Sequence, residues 1–220
     1  MTVKKRLEDL LDQINKASLR SGRVPADVLL IAVSKNRSVE EVLEAYNLGL
    51  RHFAESRLKE FLVKKELLPK DIVWHFIGTI QSNKALAIAE AFSFVHSVTS
   101  LKTAEALSKA ALKLQKRCAC FLEINLSNEE SKQGFSLETF LRDKEAVHRL
   151  EGLTICGLMT MAPHTVEQEK IRSCFKALSN MQKEFLSTYP FLSMGMSSDF
   201  EIAIEEGSTH IRIGSRLFLD

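Results

Sequence analysis

The chain has 220 residues, with 30 Lys or Arg against 28 Asp or Glu and a formal net charge of +2 with neutral His. That length suits one sizeable domain with a real core, and 45% hydrophobic with 26% charged residues is ordinary globular composition. The near-neutral balance leaves no footprint for nucleic acid or an anionic membrane. No apolar run reaches the roughly 18 residues of a spanning helix, and the charged N-terminal stretch has no signal-peptide core. The expectation is a cytoplasmic protein, neither fibrous, disordered, secreted nor membrane-embedded.

Val3, Leu7, Leu10, Leu11, Ile14 and Ala17 recur at spacings of three and four, which predicts an amphipathic first helix. Residues 28–33 form a continuous apolar run, the mark of a strand buried on both faces. Ser38 and Glu41 have capping-box spacing, so a helix starts there, and Gly49 ends it. The alternation then repeats. Strands are predicted at 52–54, 73–77, 93–96, 119–125, 153–159, 191–194 and 210–213. Helices are predicted at 56–67, 82–91, 101–116, 137–150, 166–186 and 199–206. Thr165 with Gln168 and Ser198 with Glu201 have further capping-box spacings. Eight strands, the first seven each followed by a helix, predict an α/β fold: a single (β/α)8 TIM barrel with an extra N-terminal helix, over residues 1–220. An open doubly wound sheet is the alternative. No Gly-, Pro- or Ser-rich linker divides the chain.

Cys118 and Cys120 lie two apart in an apolar run, so a strand points both to one face. With Cys156 and Cys174 they provide no C-x2-C pair for zinc, and buried free thiols are expected.

In a parallel barrel the chemistry gathers at the C-terminal strand ends. Ser34-Lys35, His75 to Gly78, Glu123 to Asn125, Gly157 to Met159, Ser193 to Ser197 and Arg212 to Ser215 fall there. Four of the nine glycines (78, 157, 195 and 214) are among them, and glycine lets a ligand approach the backbone closely. Lys35, directly after an apolar strand, is expected to be partly desolvated. That lowers an ammonium pKa and frees the amine to attack an aldehyde, unless the side chain snorkels outward. Residues 193–198 lead into a helix with Ser198 as its expected N-cap, a phosphate site or an ordinary capped start. Gly214 and Ser215 add N–H groups and a hydroxyl. Arg212, between Ile211 and Ile213, faces the barrel interior if the isoleucines face the helices, as a ligand contact or half of a buried salt bridge. Lys64-Lys65 and residues 113–117 read as solvated helix faces, Trp74 as core, and His75 as a core histidine with one satisfied nitrogen or a site residue.

An amine, a phosphate cradle and an interior Arg together describe a pyridoxal 5′-phosphate site. The chain resembles the pyridoxal phosphate homeostasis proteins, small relatives of the alanine racemase N-terminal barrel. The matching stretches are Ala32-Val33-Ser34-Lys35, Trp74-His75-Phe76-Ile77-Gly78 with Gln81-Ser82-Asn83-Lys84, Gly157-Leu158-Met159, Leu192 through Asp199, and Ile204 through Gly214. The resemblance implies that Lys35 forms a Schiff base with the cofactor. It implies that Ser197, Gly214 and Ser215 hold the phosphate and that Arg212 faces the pyridine nitrogen. Two departures stand out. Phe53-Ala54-Glu55-Ser56 replaces the usual Phe-Gly-Glu-Asn, and the chain closes on Phe218-Leu219-Asp220 in place of Phe-Gly-x-Arg, leaving the N-terminal helix to cover the short last helix.

The function implied is to hold pyridoxal phosphate and supply it to recipient apoenzymes, without substantial catalysis and as a monomer. The alternative is a racemase-like enzyme on amino acids. A two-base racemase of the related kind takes its second base from a partner's C-terminal domain. Here the expected barrel uses the whole chain, and Tyr46 and Tyr189 lie away from the expected mouth. A site open to water is a poor setting for a carbanion.

Overall fold

The computed structural model describes residues 2–126, 133–185 and 189–218. Eight parallel strands close into a barrel in sequence order: β1 (Leu29–Val33), β2 (His52–Glu55), β3 (Val73–Phe76), β4 (Phe94–Val98), β5 (Cys118–Glu123), β6 (Leu153–Met159), β7 (Phe191–Ser193) and β8 (His210–Ile213). Closure comes from β8 pairing β1, with Ile31 opposite Arg212. The open doubly wound sheet is thereby excluded.

The helix layer follows the predicted alternation: α1 (Val3–Arg20), α2 (Val39–Asn47), α3 (Leu58–Leu67), α4 (Ala85–Ala91), α5 (Leu101–Lys113), α6 (Leu137–His148), α7 (Gln168–Phe185), α8 (Phe200–Glu205) and α9 (Ser215–Phe218). Thr2 caps α1, and α1 packs on α8 and α9, beside the one-turn last helix. Leu7, Leu10, Ile14 and Ala17 form its buried stripe, whereas Leu11, one position off that stripe, is exposed. Ser38 and Glu41 make both halves of the capping box that starts α2, and Gly49 follows that helix with φ +102°.

Some expectations need correction. Asp199, not Ser198, is the N-cap of α8, and its carboxylate turns back to accept from Met196 N at 2.6 Å. Thr165 accepts from Glu167 N, within the loop before α7 rather than in a capping box. Strand β5 ends at Glu123, because Ile124 instead bridges Phe135. Leu186, the expected end of α7, lies outside the described residues, as do Leu219 and Asp220.

Side chains alternate across the sheet as its pleat requires. Leu30, Ala32, Phe53, Trp74, Phe76, Ile211 and Ile213 pack outward in the main core against the helices. Ile31, Val33 and Ala54 form a separate small cluster. Ala54, standing where the family usually has Gly, is fully buried there. Cys118, Cys120 and Cys174 are buried, and Cys156 is half-buried. Among the described residues no helix is long and apolar enough to cross a membrane, and no group of three or more His, Cys, Asp or Glu could hold a metal ion.

Candidate functional site

A cavity of about 510 Å³ opens at the C-terminal mouth of the barrel, lined by Lys35, Ser197, Arg212, Gly214 and Ser215 together with Glu123. All five residues expected from the sequence meet around this one space. Ser56, at the departure from the usual Asn, lines it too.

Lys35 leaves the barrel directly after Ser34, in a turn completed by Asn36 at φ +60°. Its side chain is exposed at the rim, which is the outward-snorkelling alternative and not the partial burial. The chain before it is held from below. Lys64 Nζ donates to the Ser34 carbonyl and to Glu55 Oε1, each at 2.6 Å, and the Ser34 hydroxyl donates to the same carboxylate oxygen at 2.7 Å. Lys64 is therefore not a solvated helix residue. It is buried one turn from Phe61, on the inner face of α3, and pairs with a fully buried Glu55. The i, i+3 spacing of Phe61 and Lys64 was the available signal for that shared face.

On the adjoining part of the rim, the Ser197 hydroxyl accepts from Gly214 N at 3.3 Å and Arg216 N at 3.4 Å. The loop after β7 and the start of α9 thus turn N–H and O–H groups toward one spot. Gly195 holds φ +96°, and a Cβ there would meet that of Ala203 at 2.6 Å. Gly78 and Gly157 answer to packing rather than to a ligand: their Cβ atoms would strike the backbone oxygens of Ser56 and Phe191.

Arg212 points inward, as the flanking isoleucines implied. It donates to Ser193 Oγ at 2.5 Å and to Thr160 O at 3.2 Å. Among the described residues no carboxylate is in ion-pair contact with it, so it is not half of a buried salt bridge. Burial pushes its pKa down to about 10, against the opposing fields of Glu123 and Asp199. Burial pushes the Glu123 carboxyl up to about 6, with Arg212 pulling the other way. Glu123 is a cavity group that sequence reasoning placed at a strand end without assigning it a role. His75 has both ring nitrogens engaged, by His52 and His96, rather than one. Neither tyrosine lines the cavity: Tyr46 donates to Asp71, and Tyr189 stacks on His148.

The donor set fits a ligand with an aldehyde, a phosphate and a ring nitrogen: a reachable amine, a cluster of hydroxyl and N–H donors, and a buried guanidinium. The family model described as alanine racemase, N-terminal domain, matches residues 10–220, which places this closed parallel barrel in the alanine racemase class. The chain is 37% identical to the pyridoxal phosphate homeostasis protein of Aquifex aeolicus, over 99% of this chain and 98% of the relative. It is 41% identical to that of Pseudomonas aeruginosa, over 99% and 95%. The structure of PipY from Synechococcus elongatus with pyridoxal phosphate bound superposes with a TM-score of 0.85 at 35% identity, over 99% of this chain and all of that one. The chain belongs to the pyridoxal phosphate homeostasis protein family.

Proposed function

We propose that the protein binds pyridoxal 5′-phosphate in the cavity at the barrel mouth, takes part in the homeostasis of that cofactor, and supplies it to recipient apoenzymes. The observation that carries this reading is the convergence of the Lys35 amine, the Ser197–Gly214–Ser215 donors and the buried Arg212 on one cavity of about 510 Å³. The names of the relatives and the cofactor bound to PipY support it.

The cofactor brings an aldehyde that a primary amine can capture. Lys35 Nζ adds to that carbon and water leaves, so the ligand is held as a Schiff base that water or another amine can release. Ser197, Gly214 and Ser215 bind the phosphate, where charge-assisted donors are strongest. Arg212 donates toward the pyridine nitrogen and disfavours its protonation. Residues 1–220 act as one domain, in the cytoplasm and as a monomer.

Borohydride treatment of the loaded protein, followed by peptide mapping, is expected to find the pyridoxyl group on Lys35, and Lys35→Ala to lose the visible absorption band while remaining folded. Label mainly on another lysine would overturn the assignment. For the carrier reading, loaded protein is mixed with a pyridoxal-phosphate-dependent apoenzyme, and single-enantiomer amino acids are followed in deuterated water. Reactivated apoenzyme with little exchange is expected. Racemisation at about one turnover per second or faster, lost in Lys35→Ala, would establish the racemase-like enzyme instead.

A further inference from the structure

Five side chains from five strands form one hydrogen-bonded line through the barrel interior. His52, half-buried at the start of β2, bonds His75 of β3 (Nδ1 to Nε2, 3.0 Å). His75 bonds His96 of β4 (Nδ1 to Nε2, 2.8 Å), and His96 Nδ1 bonds Ser193 Oγ of β7 at 2.8 Å. Ser193 Oγ accepts from Arg212 of β8 at 2.5 Å. His75, His96 and Ser193 are completely buried. The line climbs from the barrel floor to the cavity.

Its direction follows from the inventory of donors. A guanidinium only donates, so Ser193 Oγ must accept from Arg212. If His96 also donated to Ser193, the buried hydroxyl hydrogen would have no partner among the described residues, an unfavourable arrangement. Ser193 therefore donates to His96 Nδ1. A neutral imidazole has one donor and one acceptor, so His96 Nε2–H donates to His75, and His75 Nε2–H to His52. Burial and the neighbouring basic groups, His52, His210 and Arg212, oppose adding a proton to this line. Phe94 stacks on His75 and Phe121 on His96, while His210 and Arg212 are cationic when charged. Burial holds the pKa values of His75 and His96 well below the ordinary histidine range.

We propose that His96 and Ser193 are positioning residues for Arg212: a one-way chain of neutral histidines, ending in Ser193, holds the guanidinium in place facing the cavity. This rests on the proposed ring-nitrogen role of Arg212, and it adds the residues that set that role. The relay has four consequences that can be read separately from cofactor binding or through it. Asn places its amide near the position of a histidine Nδ1, and Gln near that of Nε2. His96→Asn therefore keeps the link to Ser193, and His96→Gln breaks it. Both lose the ring and its stacking on Phe121, so a merely structural role would move both alike.

The first measurement uses cofactor-free protein. Ring 15N spectra of the wild type are expected to give His75 and His96 as neutral Nε2–H tautomers throughout pH 6–8. The Arg212 guanidinium resonances should shift in His96→Gln and in the small-residue variant Ser193→Ala, but not in His96→Asn. The second measurement is titration with pyridoxal 5′-phosphate, followed by visible absorption. His96→Gln and Ser193→Ala should bind about tenfold more weakly than wild type and shift the pH profile of the absorption band, with His96→Asn close to wild type. An Nδ1–H or charged His96, or equal behaviour of the Asn and Gln variants in both measurements, would overturn the proposal. Should one His96 variant fail to fold, Ser193→Ala decides between an altered and an unaltered Arg212. A wild type that binds no cofactor would instead refute the proposed function, while the tautomers and the Arg212 resonances still decide the relay.

Discussion

Lys64→Met is the sharpest perturbation of the structure below Lys35. Wild-type Lys64 is 6% exposed and makes two bonds of 2.6 Å, to the Ser34 carbonyl and to Glu55, which is fully buried. Among the described residues, removing the ammonium leaves Glu55 with only the Ser34 hydroxyl as donor, since its second oxygen is already buried without a partner. Breaking a buried pair from one side costs about 3–5 kcal/mol, against a total domain stability of about 5–15 kcal/mol. Urea unfolding followed by circular dichroism should therefore show a midpoint lowered by about 1–2 M. The double variant Lys64→Met/Glu55→Leu removes both charges and the orphaned oxygen, and should recover most of the loss or exceed wild type. A single variant within about 1 kcal/mol of wild type, or a double variant no better than the single one, would refute the argument.

Burial raises the Glu123 carboxyl from 4.5 to about 6, so the folded state holds its proton more tightly than the unfolded chain. That contribution is complete below pH 4.5 and is lost as pH rises through about 6; Glu123→Gln should add about 2 kcal/mol at pH 7.5 and little at pH 4.5, and equal gains at both would contradict it. Gly157→Ala puts a Cβ 1.8 Å from the Phe191 carbonyl oxygen and should open the pairing of β6 with β7, giving insoluble or non-cooperatively unfolding protein. Gly214→Ala, with its nearest neighbour at 3.4 Å, should fold normally in the same assay. Pyridoxal should bind far more weakly than its phosphate ester in an absorption titration, whereas Ser197→Ala should lose only about 1–3 kcal/mol because backbone donors remain; equal affinity for the two ligands would remove the phosphate cradle.

The barrel was legible because short apolar runs alternate along the chain with helices whose apolar residues recur at spacings of three and four. Ile211 and Ile213 also fixed the inward direction of Arg212 between them. What was not legible is the polar interior, because hydrogen bonds between distant strands leave no local pattern. His52, His75 and His96 are more than 20 residues apart in sequence, and only the barrel's closure brings Ser193 to the last of them. Lys64 was misread for the same reason. A charged residue on a helix is normally solvated, and its partner lies nine residues upstream on another element. For Lys35 the sequence left partial burial and an outward side chain open, and the turn after Ser34 carries it outward to the rim.

These two buried devices act on neighbouring strands and to different effect. On β1, the Ser34–Glu55–Lys64 cluster anchors the backbone just before Lys35 but leaves the amine itself exposed. On β8, the histidine line and the Thr160 carbonyl hold the guanidinium of Arg212, side chain and all. A ligand bound between them would have a rigid wall at its ring and phosphate and a solvent-accessible covalent link. Rigid recognition supports selective capture, because little is left to order on binding. An accessible link lets water or an incoming amine release the ligand, whereas proton abstraction at carbon favours a dry, closed site. The asymmetry between the held Arg212 and the reachable Lys35 supports the proposed holding and handing over of the ligand.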